Sequence, residues 1–152
     1  MHCHIAVWIN GGIHTLFVAV TEYPPIAPAQ FQVIQLQYRY ILSMEGYDVA
    51  TNLKWIMFSN SLCMMRKPRF ETWMMEGRLE AGVHYVELKD DHSDFAEKIA
   101  YYELNPVEVL RIIENAQNYM KQFFDEKIEL ITSLKVLDKY FESTDQKNIQ
   151  LK

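Results

Sequence analysis

Residues 40–69, YILSMEGYDVATNLKWIMFSNSLCMMRKPR, constrain the rest of the chain most tightly. Tyr40, Ile41 and Leu42 form a short apolar, β-prone run that Glu45 and Gly46 break. Val49, Leu53, Ile56 and Met57 then recur at helical spacing, which predicts a helix over 49–58 with Asp48 as its cap. Ser59 and Asn60 stop it, and Leu62, Cys63, Met64 and Met65 read as a second, buried strand. Strand, glycine-containing turn, helix and strand make the βαβ unit of a parallel sheet. Ligands of such sheets bind where strands turn into helices, so residues 45–54 are the first place to look for chemistry.

The flanking sequence fits one α/β domain. The chain has 152 residues, room for one core of ordinary size. Its net charge of −5 shows no dominant basic face, which argues against a nucleic-acid partner. Cys3 and Cys63 lie far apart and suggest no disulfide framework, so a reducing cytoplasm is the simpler expectation. Residues 5–20 are apolar, but Asn10, Gly11, Gly12 and His14 interrupt them, leaving runs too short to span a bilayer. No Lys or Arg precedes them, unlike a signal peptide.

Residues 1–35 read as an atypical leader or a remnant of an upstream region, ending in the proline cluster at 24–28. Within 30–37, alternation allows either a strand or the start of a helix. Residues 36–124 form the expected α/β domain, and 125–152 a last helix with a polar tail. A short helical piece is expected at 70–76, ended by Gly77, and a strand over 83–88. A helix over 94–102 is expected to be capped by Ser93 or Asp91. Asn105, Pro106 and Glu108 mark a helix start whose stripe is Val109, Ile113, Ala116, Met120 and Phe124, ending near Asp125. A final helix over 127–141 carries Leu130, Leu134, Leu137 and Phe141 on one face.

Several clusters along this order can carry chemistry. Around Gly46, Asp48, Thr51, Asn52 and Lys54, a helix N-terminus, two polar side chains and one cation can cradle a diphosphate. The alternative is an ordinary capped helix with a solvated lysine, since neither a phosphate-loop nor a dinucleotide glycine pattern is present. Arg66, Lys67 and Arg69 follow a strand and could meet phosphates, or form a solvated basic turn. Glu71 and Glu76 could take ribose or sugar hydroxyls and Trp73 could stack on a ring, or this is an amphipathic helix with Trp73 and Met74 in the core. His84, Asp90 and Asp91 could contact a ligand at the next strand's end, while His84 could equally lie on a sheet face. No metal site is expected: Asp90, Asp91 and His92, and His2, Cys3 and His4, lack compelling ligand spacing. No nucleophile–base arrangement is legible, so no catalytic residue is assigned.

Three blocks carry a resemblance. YRYILSMEGYDVATNLKW at 38–55, FETWMMEG at 70–77 and GVHYVELKDD at 82–91 resemble, in order and spacing, the blocks of glycosyltransferase family 90, over about residues 36–124. The wording is closest to the bacterial lipopolysaccharide core transferases. The resemblance implies an α/β, Rossmann-like, three-layer half of a GT-B glycosyltransferase, with a small parallel sheet and C-terminal helices. This chain looks like the C-terminal, donor-holding half. The loop and helix from Gly46 to Lys54 would then contact the diphosphate of a nucleotide sugar, a UDP-sugar by the resemblance, with Arg66, Arg69, Glu71, Glu76, His84, Asp90 and Asp91 nearer nucleotide or sugar. Animal members carry Ser and Arg where Ala50 and Asn52 stand here, so Lys54 is the firmer carry-over.

The resemblance further implies no required cofactor and a lipopolysaccharide or related glycan acceptor. It implies a cytoplasmic enzyme, with peripheral association at the inner face of the membrane. The general base would belong to an N-terminal GT-B half. The competing expectation is a non-catalytic fragment or interaction module with a Rossmann-like fold, its last helix docking on a partner.

Overall fold

A computed structural model describes residues 33, 35–144 and 146. The expectations for residues 1–32 lie outside them. The chain divides into two compact units, one ending at Tyr119 and one beginning at Met120.

The first unit holds a three-stranded parallel sheet in the order β1-β2-β3. Its strands are β1 (Tyr40–Leu42), β2 (Leu62–Met65) and β3 (Val86–Glu87). Tyr40 pairs with Leu62 and Leu42 with Met64, while Met64 also pairs with Val86. The N–H of Ser43 donates to Met64 O at 2.9 Å and that of Leu88 to Met65 O at 2.9 Å, carrying the ladder past the strand ends. Every residue of β1 and β2 is buried. That is why these strands read as unbroken apolar runs: a parallel sheet is covered on both faces.

Strand alternation sends Tyr40, Leu42, Leu62, Met64, Val86 and Leu88 to one face. There they form a core with Phe95, Ile99 and Tyr102 of α2 (Phe95–Leu104) and with Val109, Ile112 and Ile113 of α3 (Pro106–Lys121). Ile41, Cys63 and Met65 project to the other face and are buried as well, Cys63 as a free thiol. The connection from β1 to β2 carries α1 (Leu53–Phe58), which packs along β2 and buries Leu53, Ile56 and Met57.

Several expectations are corrected. Helix α1 starts at Leu53, not Val49. Asp48 spends its carboxylate on the N–H of Val49 at 2.8 Å, and the N–H of Leu53 closes a turn onto Ala50 O at 3.2 Å, so residues 48–52 are a non-helical lead-in that ends in a turn at 51–52. Residues 70–76 form no α-helix; a turn leads into a 3-10 helix at Glu76–Arg78 that contains Gly77. Strand β3 is shorter than 83–88, because residues 82–84 turn around Gly82 at φ +73°. Helix α2 runs past 102 to Leu104, and neither Ser93 nor Asp91 caps it; its N-cap is Asp94, which makes no side-chain cap bond.

Helix α3 begins at Pro106 as read, but the capping box does not form. The Asn105 amide donates back to Tyr101 O at 2.7 Å, and Glu108 accepts from the Tyr101 hydroxyl at 3.0 Å. Val109, Ile113, Ala116 and Met120 are buried as the stripe predicts, whereas Phe124 lies past the helix end and is exposed. Of the expectation for 30–37, the described residues show helical backbone at Val33 and Gln35 and a turn at 36–37, and the rest lies outside them.

The second unit holds α4 (Glu126–Ser143), where the last helix was expected. Asp125 caps it, accepting from the N–H groups of Lys127 and Ile128 at 3.0 and 3.1 Å. Leu130, Leu134, Leu137 and Phe141 are all exposed. Among the described residues, no helix is long and apolar enough to cross a membrane.

Candidate functional site at the carboxyl edge of the sheet

Three segments leave the carboxyl ends of the strands, residues 43–52, 66–79 and 88–94, and they contain nearly all the side chains singled out from sequence. In the first, Asn52 ties α1 to β1. Its amide donates to Leu42 O at 3.3 Å and its carbonyl oxygen accepts from the Ser43 hydroxyl at 3.0 Å. Gly46, Asp48 and Thr51 are exposed, and open space surrounds the position of a Cβ on Gly46. A six-residue helix has little dipole to offer, so electrostatic attraction here rests on side chains.

The second segment is built around Glu45, which sequence reading marked only as a strand breaker and as the start of the 45–54 stretch, with no role of its own. Its side chain is 11% exposed. It accepts the Arg69 N–H at 3.1 and 3.3 Å, the Phe70 N–H at 3.4 Å and Arg69 Nε at 3.4 Å. Arg66 Nε stands 3.8 Å away, and Arg66 Nη2 donates to Glu45 O at 3.5 Å. Parallel pairing of β1 with β2 brings these residues together across more than twenty positions of sequence.

The next turn is held from inside. Glu76 is 2% exposed and accepts from Thr72 twice, from its N–H at 2.6 Å and its hydroxyl at 2.7 Å. Met75 sits in the left-handed region at φ 54°. The Tyr119 hydroxyl, arriving from α3, donates to Met74 O at 2.7 Å and Met75 O at 3.0 Å. Met74 is buried as the amphipathic alternative required, but Trp73 is 56% exposed. Lys54 Nζ lies 5.6 Å from the centroid of the Trp73 ring, within cation–π range. Glu71 is exposed, its carboxylate 3.1 Å from where a Cβ on Gly77 would stand.

In the third segment Asp94 accepts the Lys89 N–H at 3.0 Å and Asp91 the Ser93 N–H at 3.0 Å. The bonds from Ser93 hold the Asp91 carboxyl below its usual range. Asp90 and Asp91 are exposed. His84 lies in the turn before β3 rather than on a sheet face. Its Nδ1 accepts the Glu80 N–H at 3.0 Å, which leaves the proton of the neutral ring on Nε2. The ring packs 5.3 Å from that of Tyr119. Burial lowers the His84 pKa, and Glu80 partly opposes it. No group of three His, Cys, Asp or Glu side chains among the described residues could hold a metal ion.

The fold thus gathers Glu45, Arg66 and Arg69 into one cluster and sets Lys54 beside Trp73. Separately, Tyr119 joins the 74–75 turn to His84. Tyr119 carried no signal in sequence, since it reads as one more aromatic on a helix. Glu45 stood beside Gly46, but nothing local says that its partners lie across the sheet.

Residues 20–147 match the family described as Glycosyl transferase family 90, extending beyond residues 36–124 on both sides. The chain is also similar to an O-glucosyltransferase, LpsA, of Dichelobacter nodosus, at 64% identity over 107 residues. That alignment covers 70% of this chain and 34% of the relative, so the chain spans about a third of the length of the curated protein it matches.

Proposed function

The chain belongs to glycosyl transferase family 90, and from that premise we propose that its sheet edge is the donor site of a glycosyltransferase using a nucleotide sugar. The observation that carries this reading is that Arg66 and Arg69 meet at Glu45 where β1 and β2 end, while Lys54, in the first turn of the helix that follows β1, lies beside Trp73. When a sugar leaves a nucleoside diphosphate, the bond from the anomeric carbon to the diphosphate oxygen breaks and negative charge gathers on that oxygen. Fixed cations aimed there stabilise the transition state. Lys54, Arg66 and Arg69 supply that charge, and Gly46 and Thr51 leave room for the phosphates. Glu71, Asp90 and Asp91 are exposed acceptors for hydroxyls, whereas His84 stands before β3, at the other end of that strand, where it bonds Glu80. Asp48, Asn52 and Glu76 serve the site by shaping its loops.

The name of the relative, an O-glucosyltransferase, favours glucose as the sugar and an oxygen acceptor. The resemblance of the three sequence blocks to the lipopolysaccharide core transferases makes a lipopolysaccharide or related glycan the expected acceptor. A UDP-sugar is the expected donor. On this reading the chain is the Rossmann-like, donor-holding half of a GT-B enzyme. A second half supplies the acceptor site and the general base that takes the acceptor hydroxyl's proton. Work at the inner face of the membrane follows from such an acceptor. A second reading, an interaction module, is favoured by one observation: α4 exposes Leu130, Ile131, Leu134 and Leu137.

Titration calorimetry with UDP and UDP-glucose tests the donor reading. It expects binding by the chain and a loss of about tenfold in Lys54→Ala, the worth of one charge-assisted contact. No binding by this chain or by a longer one containing the upstream half refutes it.

A further inference from the structure

We propose that Glu45 is a positioning residue of the donor site: its partly buried carboxylate holds Arg69 by the Nε edge and aims the terminal Nη groups at the diphosphate. The inference rests on the donor reading above and adds to it the residue through which Arg69 acts.

Glu45 is the point where β1 and β2 are fastened beyond the sheet. One carboxylate takes two consecutive backbone N–H groups, those of Arg69 and Phe70, and the Nε of Arg69. Arg66 Nε stands 3.8 Å from Oε2, the same oxygen that meets Arg69 Nε. These contacts fix both where the 66–70 turn runs and which edge of the Arg69 guanidinium faces inward. Arg69 meets Glu45 through Nε, and its side chain is half exposed, with the guanidinium carbon 5.6 Å from the Phe70 ring centroid. Guanidinium has five donors in a rigid fork, so one edge can be held while the other serves an oxyanion. A carboxylate so close to an anion site would, by charge alone, repel the ligand. Its placement makes sense if orientation outweighs repulsion, and that balance gives the inference a testable sign.

UDP is the probe, and its affinity is measured by calorimetry for the full chain and for Glu45→Gln, Arg69→Ala, Arg69→Lys and the Glu45→Gln/Arg69→Ala double variant. Removing a negative charge from beside an anion site should tighten binding if Glu45 acts only by charge. The positioning role expects the opposite, a loss of about tenfold in Glu45→Gln, because a neutral amide cannot hold two N–H groups and a guanidinium. Arg69→Lys should lose as much as Arg69→Ala, because a lysine ammonium lacks the fork that serves both sides. Glu45→Gln should cost nothing further once Arg69 is alanine. Tighter binding by Glu45→Gln, wild-type affinity in Arg69→Lys, or the same tenfold loss from Glu45→Gln in the Arg69→Ala background each overturns the proposal. The last would show a loop merely damaged. If the wild-type chain and a longer one both bind no UDP, the donor reading itself fails. If wild type binds and every variant matches it, the roles of Glu45 and Arg69 both fail while the donor reading stands.

Discussion

Glu76 is the place where a carboxylate that reads as a ligand contact in sequence can be tested as a structural latch. It is 2% exposed, and Thr72 donates to it twice, at 2.6 and 2.7 Å. Hydrogen bonds to a charged acceptor contribute roughly 1.5–3 kcal/mol each. Thr72 is half-buried, so water can reach part of what a truncation exposes, and the two bonds should not add in full. Glu76→Ala is therefore expected to cost about 2–4 kcal/mol. In a chain of this size that lowers the melting temperature by roughly 5–15 °C. Glu76→Gln should cost about 1 kcal/mol: its carbonyl keeps the Thr72 N–H, and the threonine hydroxyl can rotate to accept from the amide. Urea denaturation followed by circular dichroism measures both. The latch is refuted if Glu76→Ala lies within about 0.5 kcal/mol of wild type, or if Glu76→Gln is as damaging as the truncation.

Further outcomes follow from the same contacts. Asn52→Ala leaves the hydroxyl of Ser43, itself 2% exposed, without its acceptor, and should destabilise by about 1–3 kcal/mol in the same assay. Ile112→Ala opens a cavity at a 0%-exposed position of the core and should cost about 2–5 kcal/mol. Asp125→Ala removes the acceptor for two N–H groups of α4 and should lower helicity, at about 1 kcal/mol. His84 has a folded pKa below its ordinary 6.5, so between the two values the unfolded chain binds more protons. Stability should fall as pH drops through about 6.5, and protonation also removes the Nδ1 acceptor from the Glu80 N–H. His84→Asn should flatten that decline between pH 7.5 and 5.5; an unchanged decline would exonerate His84.

The βαβ core was legible because buried parallel strands leave an unmistakable trace. Tyr40, Ile41 and Leu42, and Leu62 to Met65, are apolar without alternation, and all are buried. The stripe on α3 was equally clear, since Val109, Ile113 and Ala116 repeat at the helical period. Boundaries were less legible where a side chain had two uses. Asp48 could cap a helix or bond its neighbour's N–H, and it does the latter. Asn105 could cap forwards or reach back, and it reaches back to Tyr101. Residues 70–76 have helical-looking composition, but the buried Glu76 carboxylate gathers the chain into a turn instead.

By itself the sequence determined the parallel α/β class, the family, and the order of the elements apart from the helix expected at 70–76, because burial pattern and block order are local properties that survive without coordinates. It also marked the carboxyl edge as the place for ligands. Only the tertiary structure decided which side chains there act on each other. Glu45 meets Arg69 across 24 positions, and Tyr119 meets Met74 across 45. Contacts of that range arise from strand pairing and helix packing, which have no period to read. The fold thereby turned a list of charged residues into an arginine held by a carboxylate and a lysine set over an aromatic ring.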